Sequence, residues 1–84
     1  MQDTTMVVHD FILKEFLPGE IPSELTQETE LITGGILDSI STLKLVTFLE
    51  ERFGITVEAW EADVDNLDSI QRIVALVDAK KNGS

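Results

Sequence analysis

Gly34-Gly35-Ile36-Leu37-Asp38-Ser39-Ile40-Ser41-Thr42-Leu43-Lys44-Leu45-Val46-Thr47-Phe48-Leu49-Glu50-Glu51-Arg52-Phe53-Gly54 is the stretch on which the fold turns. It opens on a double glycine, passes through Asp38-Ser39, and keeps a helical period as far as Gly54. At about 100° per residue, Leu45, Val46, Leu49 and Phe53 share one face, with Thr42 beside them. That stripe predicts a helix over 39–53, packed on a core and closed by Gly54 as C-cap. The opposite face carries Ile40, Lys44, Thr47 and Glu51, with Leu43 and Phe48 on the flanks. Ser39 itself reads first as a plain N-cap, because serine before an apolar-periodic run is an ordinary helix start.

On the N-terminal side, residues 3–16 read as a first helix. Asp3, Thr4 and Thr5 offer caps, and Val7 or Val8, Phe11, Ile12 and Phe16 recur at helical spacing. Pro18 and Gly19 stop it. Residues 17–38 have no clean period and contain Pro22, Gly34 and Gly35, which predicts a long loop pinned to the core by Leu25, Leu31, Ile36 and Leu37. On the C-terminal side, 55–67 holds Ile55, Val57 and Trp60 among acids and reads as an extended link with a short helical turn. Ile70, Ile73, Val74 and Val77 then mark a last helix over about 69–79, and 80–84 reads as a frayed polar tail. Period-2 alternation is absent. The expectation is one all-α domain spanning 1–84: three main helices with a possible short fourth, and a long loop between the first and second.

Composition narrows the function. The chain has 84 residues, enough for one modest core. Sixteen acids against six Lys and Arg give a formal net charge of −10, which disfavours nucleic acid and anionic membrane surfaces. Soluble partners with basic patches suit it better. There is no cysteine, so disulfides and thiolate metal sites are out and a reducing cytoplasm fits. Neither a signal peptide nor a membrane-spanning run is read.

Two serines compete for attention. Asp38-Ser39-Ile40 recurs as Asp68-Ser69-Ile70 before the last helix. Ser39 follows a long glycine-containing loop, and its helix starts with the outward apolar residues Ile40 and Leu43, which suggest a small docking patch. Ser69 follows a short acidic link. Nucleophilic catalysis by Ser39 fails on inventory: a serine nucleophile needs an oriented base, and the single histidine, His9, reads as a half-exposed helical residue. Asp63, Asp65 and Asp68 faintly suggest a calcium loop, but Asp68 stands where the glycine belongs and Val74 where the glutamate belongs. Glu50-Glu51 reads as surface charge and Trp60 as a core or edge aromatic.

At these residues the chain resembles the phosphopantetheine-dependent acyl, aminoacyl and peptidyl carrier proteins. The likeness lies in Gly35-Ile36-Leu37-Asp38-Ser39-Ile40, then Leu45-Val46, then Leu49-Glu50-Glu51-Arg52-Phe53-Gly54-Ile55. Length, acidity and helix order agree with it. The resemblance implies that Ser39 accepts a covalent 4′-phosphopantetheine arm from coenzyme A through a carrier-protein synthase, with Asp38 as the adjacent recognition residue. The arm's thiol would then hold cargo as a thioester, which suits a chain without cysteine, and the Gly34-Gly35 loop would be a flexible tether. It further implies a non-enzymatic, monomeric carrier in the cytoplasm. Its helix over 39–53 would dock an acyl- or aminoacyl-loading ligase and downstream acceptor enzymes through Ile40, Leu43, Lys44, Thr47 and Glu51. Ser41 and Lys44 stand where fatty-acid carriers have acids, which tilts the resemblance toward stand-alone carriers of amino acids or specialised metabolites. A fatty-acid or polyketide acyl carrier is the alternative. An acidic helical adaptor with no prosthetic group, in which Ser39 is only a cap, is the alternative of another class.

Overall fold

A computed structural model describes residues 3–20 and 22–83. Helix α1 (Thr4–Phe16) starts where Asp3, in extended backbone, accepts the Thr5 amide at 2.9 Å. Helix α2 (Ser39–Phe53) matches the periodic stretch and ends at Gly54, whose left-handed backbone lets its amide return to the Glu50 carbonyl. The link that follows makes a 3₁₀ turn at Ala59–Glu61 and the short helix α3 (Val64–Leu67), which Asp63 caps by accepting the Asn66 amide at 3.2 Å. Helix α4 (Ile70–Gly83) packs against α1, α2 and α3. The described residues contain no strand, so the class is all-α as expected.

The core follows the periodic stripes. Val8 and Ile12 from α1, Leu45, Val46 and Leu49 from α2, and Ile70, Ile73, Leu76 and Val77 from α4 are buried together with Val57 and Leu67. Burying a Leu or Ile side chain contributes about 1.5–3 kcal/mol. Phe53, read as part of the α2 stripe, is only half-buried. It belongs to a peripheral aromatic row in which Phe11 stacks on Phe48 at 3.9 Å between centroids, with Phe16 and Phe53 edge-on at either end. Val74 is likewise half-buried, while Leu76 takes a core place that the i, i+3, i+4 reading did not assign.

The described residues of the 17–38 segment are held against the core rather than structureless. It makes a 3₁₀ turn at Pro22–Glu24 and buries Leu25, Leu31 and Leu37, with Ile36 half-buried against the core. Polar bonds hold it as well: His9 Nε2 lies 2.9 Å from the Leu25 carbonyl, and the Gln71 amide donates to the Gln27 carbonyl. The double glycine lies in a tight turn. A Cβ on Gly34 would sit 2.3 Å from the Glu30 carbonyl oxygen, and Gly35 has φ of 84°.

Three further expectations change. The tail read as frayed from residue 80 is helical through Gly83, because Lys80 has a partner in the chain; Ser84 lies outside the described residues. Trp60 is 73% exposed, not a core or edge aromatic, since the 3₁₀ turn points it away from α4 and buries Glu61 instead. Glu50 is half-buried, and its Oε2 accepts the Val57 amide at 2.9 Å, so it anchors the link that the sequence left loose; Glu51 is exposed as read.

Candidate functional site

The start of α2 is built by Asp38, not by Ser39. Asp38 is extended, with φ of −96° and ψ of −171°, and its Oδ1 accepts the Ser41 amide at 2.7 Å. That amide, then the Ser41 hydroxyl, holds the Asp38 carboxyl below the usual carboxylate range. A fixed negative charge therefore sits at the positive end of the helix dipole. Ser39 becomes the first helical residue. Its side chain is exposed, and its hydroxyl makes no hydrogen bond among the described residues.

The repeated tripeptide is used in a different register at α4. There the serine caps: Ser69 Oγ accepts the Arg72 amide at 3.2 Å and the side chain is buried. The aspartate turns away to the 17–38 loop, and Asp68 Oδ1 accepts the amides of Ile32 and Thr33 at 2.8 and 2.9 Å. The Thr33 hydroxyl donates to the same carboxylate, with Oδ2 at 2.9 Å. The Thr33 amide first, opposed by partial burial, holds the Asp68 carboxyl below its ordinary value.

Ser39 stands at the edge of an open cleft of about 820 Å³. Leu37, Val46, Val57 and Ala62 give it an apolar lining, and Asp38, Glu50, Glu58 and Asp63 give it carboxylates. One wall is the end of the 17–38 loop, the floor is α2, and the other wall is the 57–64 link. That link is fixed from behind: the Glu58 amide donates to Glu61 Oε1, and buried Glu61 pairs with Lys80 of α4 at 2.5 Å. The Lys80 ammonium lowers the Glu61 pKa, with help from the Glu58 amide.

The outer strip of α2 is laid out as the periodicity implied. Ile40 and Leu43 are 69% and 66% exposed, and Lys44, Thr47 and Glu51 are exposed beside them. The Thr47 hydroxyl turns back onto the Leu43 carbonyl. The structure thus brings Asp38, Ser39, Ile40 and Leu43 to one end of α2 and strings Lys44, Thr47 and Glu51 along it. In the 57–64 link, Trp60 and Val64 are also exposed; the sequence reading placed Trp60 in the core or at its edge and did not single out Val64. Asp68, Glu61 and Lys80 were missed too. The recurrence of Asp-Ser-Ile was a signal for Asp68. Nothing local marked the Glu61–Lys80 pair, whose members lie far apart in sequence.

His9 offers Ser39 no base. Its ring is engaged by the Leu25 carbonyl, with Asp10 at 3.8 Å. Among the described residues no group of three or more His, Cys, Asp or Glu is placed to hold a metal, and Asp63 is spent on capping α3. No described helix is long and apolar enough to cross a membrane.

No family model matches the chain. Pairwise comparison finds 34% identity over 77 residues with "Acyl carrier protein 4, chloroplastic" of Arabidopsis thaliana, covering 90% of this chain and 53% of that protein. It also finds 40% identity over 47 residues with "D-alanyl carrier protein" of Bacillus velezensis, covering 56% of this chain and 60% of that protein. The chain spans between about half and 60% of the length of these curated relatives. These homologues are carrier proteins, in agreement with the resemblance carried by the 35–55 stretch.

Proposed function

We propose that this chain is a non-enzymatic carrier domain whose Ser39 bears a 4′-phosphopantetheine arm. The observation that carries the reading is the contrast between the two serines. Ser39 Oγ is exposed and unengaged at the first turn of α2, whereas Ser69 Oγ is buried and spent on a cap. A modifying enzyme needs a hydroxyl it can reach and whose modification spares the fold, and of these two serines Ser39 is the one that suits. Asp38 would be read beside it, since its carboxylate is fixed and exposed one residue away. The arm supplies a terminal thiol for thioester chemistry, which the cysteine-free chain cannot supply itself. That Asp38 and not Ser39 caps α2 favours this reading over the adaptor alternative, in which Ser39 was only a cap.

Two homologues support two cargo classes equally. The D-alanyl carrier supports an aminoacyl group, and the acyl carrier supports an acyl group, for which a fatty-acid or polyketide chain is the alternative reading. Partners would be a carrier-protein synthase, a loading ligase and downstream acceptor enzymes, docked on Ile40, Leu43, Lys44, Thr47 and Glu51. A net charge of −10 suits partners with basic docking faces and disfavours nucleic acid and anionic membrane surfaces. The test is intact mass after incubation with coenzyme A and a promiscuous carrier-protein synthase. The protein and its Ser69→Ala variant should gain the arm, and Ser39→Ala should not. A mass gain on Ser39→Ala would sink the assignment.

A further inference from the structure

Asp68 touches both sides of the Ser39 cleft, although it lies 29 residues from Ser39 in the chain. Its carboxylate holds the amides of Ile32 and Thr33, and Ile32 lines the loop wall. Its own amide donates to the carbonyl of Val64, which lines the opposite wall. Its carbonyl accepts the Leu31 amide at 2.7 Å, and the Leu31 carbonyl accepts the Leu37 amide at 2.8 Å. Leu37 immediately precedes Asp38 and Ser39. One residue therefore bonds to both walls and, through two further hydrogen bonds, to the backbone that delivers the hydroxyl.

We propose that Asp68 is a positioning residue for Ser39: it sets the separation of the cleft walls, and the Leu31–Leu37 link carries its anchor to the start of α2. This rests on Ser39 being the attachment site. Gly34 and Gly35 keep the connection short. They close the chain between Thr33 and Leu37 in a single tight turn, with the Gly35 amide on the Ile32 carbonyl. Only that turn separates Ile32 and Thr33 from Leu37 along the chain. Leu31 and Leu37 are both buried in the core, which holds the link on both sides. The Asp68 charge is favoured where it stands, since two amides and a hydroxyl donate to it.

Arm transfer by a carrier-protein synthase, with the carrier as varied substrate, separates positioning from mere stability. A misplaced acceptor hydroxyl lowers kcat, because the error persists in the bound complex. A carrier that is partly unfolded but otherwise normal raises the apparent KM and leaves kcat alone. A misplacement of about 1 Å can cost about 100-fold, so Asp68→Ala is expected to lower kcat about tenfold with KM little changed. Asp68→Asn keeps one acceptor oxygen and should fall between, and it serves if the alanine variant folds poorly. Ser69→Ala, which removes the neighbouring α4 cap without touching the loop, should leave kcat unchanged. Amide hydrogen exchange gives a readout independent of the arm: in Asp68→Asn it should accelerate at Ile32, Thr33, Leu37 and Ser41. An unchanged kcat in both Asp68 variants overturns the proposal, as does faster exchange confined to Ile32 and Thr33. A mass gain on Ser39→Ala would defeat the attachment assignment instead, and the exchange pattern would then decide the positioning claim alone.

Discussion

Removing each of the two serine hydroxyls should have opposite consequences for stability and for modification. In Ser69→Ala the Arg72 amide loses its 3.2 Å acceptor at a site only 8% exposed, where water cannot fully replace it. Losing a serine cap costs about 0.5–2 kcal/mol, typically about 1, and partial burial places Ser69 in the upper half of that range. For a domain of this size each 1 kcal/mol lowers Tm by about 4–8 °C. A fall of at least about 4 °C is therefore expected. In Ser39→Ala no hydrogen bond is lost, the residue is exposed, and alanine is the better helix former. Its stability should stay within about 0.5 kcal/mol of the parent, or rise slightly. The assay is thermal and denaturant unfolding of both variants by far-UV circular dichroism, run beside the arm-transfer mass measurement. The stable variant should be the one that cannot be modified. Equal losses of Tm in the two variants would show that Ser39 caps α2 after all, and the separation of roles argued here would fail.

Three other outcomes follow from particular contacts. Asp38, Glu61 and Asp68 all have folded pKa values below their unfolded ones, so their stabilisation is complete above the unfolded carboxylate range and is lost as pH falls through the folded values. The stability gap between the protein and Asp68→Asn, measured by denaturant midpoint, should accordingly shrink below about pH 4; a gap that widens on acidification would contradict it. Gly34→Ala would force its Cβ to within 2.3 Å of the Glu30 carbonyl oxygen, and a cost of more than about 1 kcal/mol is expected from calorimetry, with a silent substitution ruling out the tight turn. On the outer strip, Ile40→Ala or Leu43→Ala should weaken thioester loading of the arm-bearing protein by about 1–2 kcal/mol without loss of fold, and Lys44→Glu should impair the native loading enzyme while improving acceptance by fatty-acid enzymes. Unchanged loading kinetics in all three would move the docking surface elsewhere on the chain.

The helices were legible because their apolar residues recur at a period that only a helix satisfies. Leu45, Val46 and Leu49 on α2, and Ile70, Ile73 and Val77 on α4, lie where that period put them. The pins of the long loop were legible for a related reason: Leu25, Leu31 and Leu37 are among the few large apolar residues of a mostly polar segment, and they are buried in the core. What escaped was whatever depends on a partner distant in sequence. Glu50 looked like surface charge until the Val57 amide folded onto it, and Glu61 looked like one acid among many until α4 brought Lys80 against it. The same pairing extends α4 past the point where a run of Lys80-Lys81-Asn82-Gly83 suggests fraying. Trp60 was misjudged because aromatic size favours burial on average, whereas a single 3₁₀ turn decides which of two neighbours faces inward.

At the candidate site, the sequence left undecided which residue of the Asp-Ser pair caps the helix. Asp-Ser before an apolar run offers two possible caps, and the local sequence is the same at 38–40 and 68–70. The outcome is settled by what competes for the aspartate. At the start of α4 the amides of Ile32 and Thr33 and the Thr33 hydroxyl claim the Asp68 carboxylate, so capping falls to Ser69. At the start of α2 the Asp38 carboxylate turns onto the Ser41 amide and caps the helix itself. Ser39 is thereby released from structural duty and left exposed. A hydroxyl needed for folding would make a poor attachment point, since modifying it would cost its own substrate the cap. Substituting Asp38 should thus do more than remove a recognition contact. It invites Ser39 into the vacant capping role, shifting the helix start by one residue and withdrawing the hydroxyl from the cleft edge.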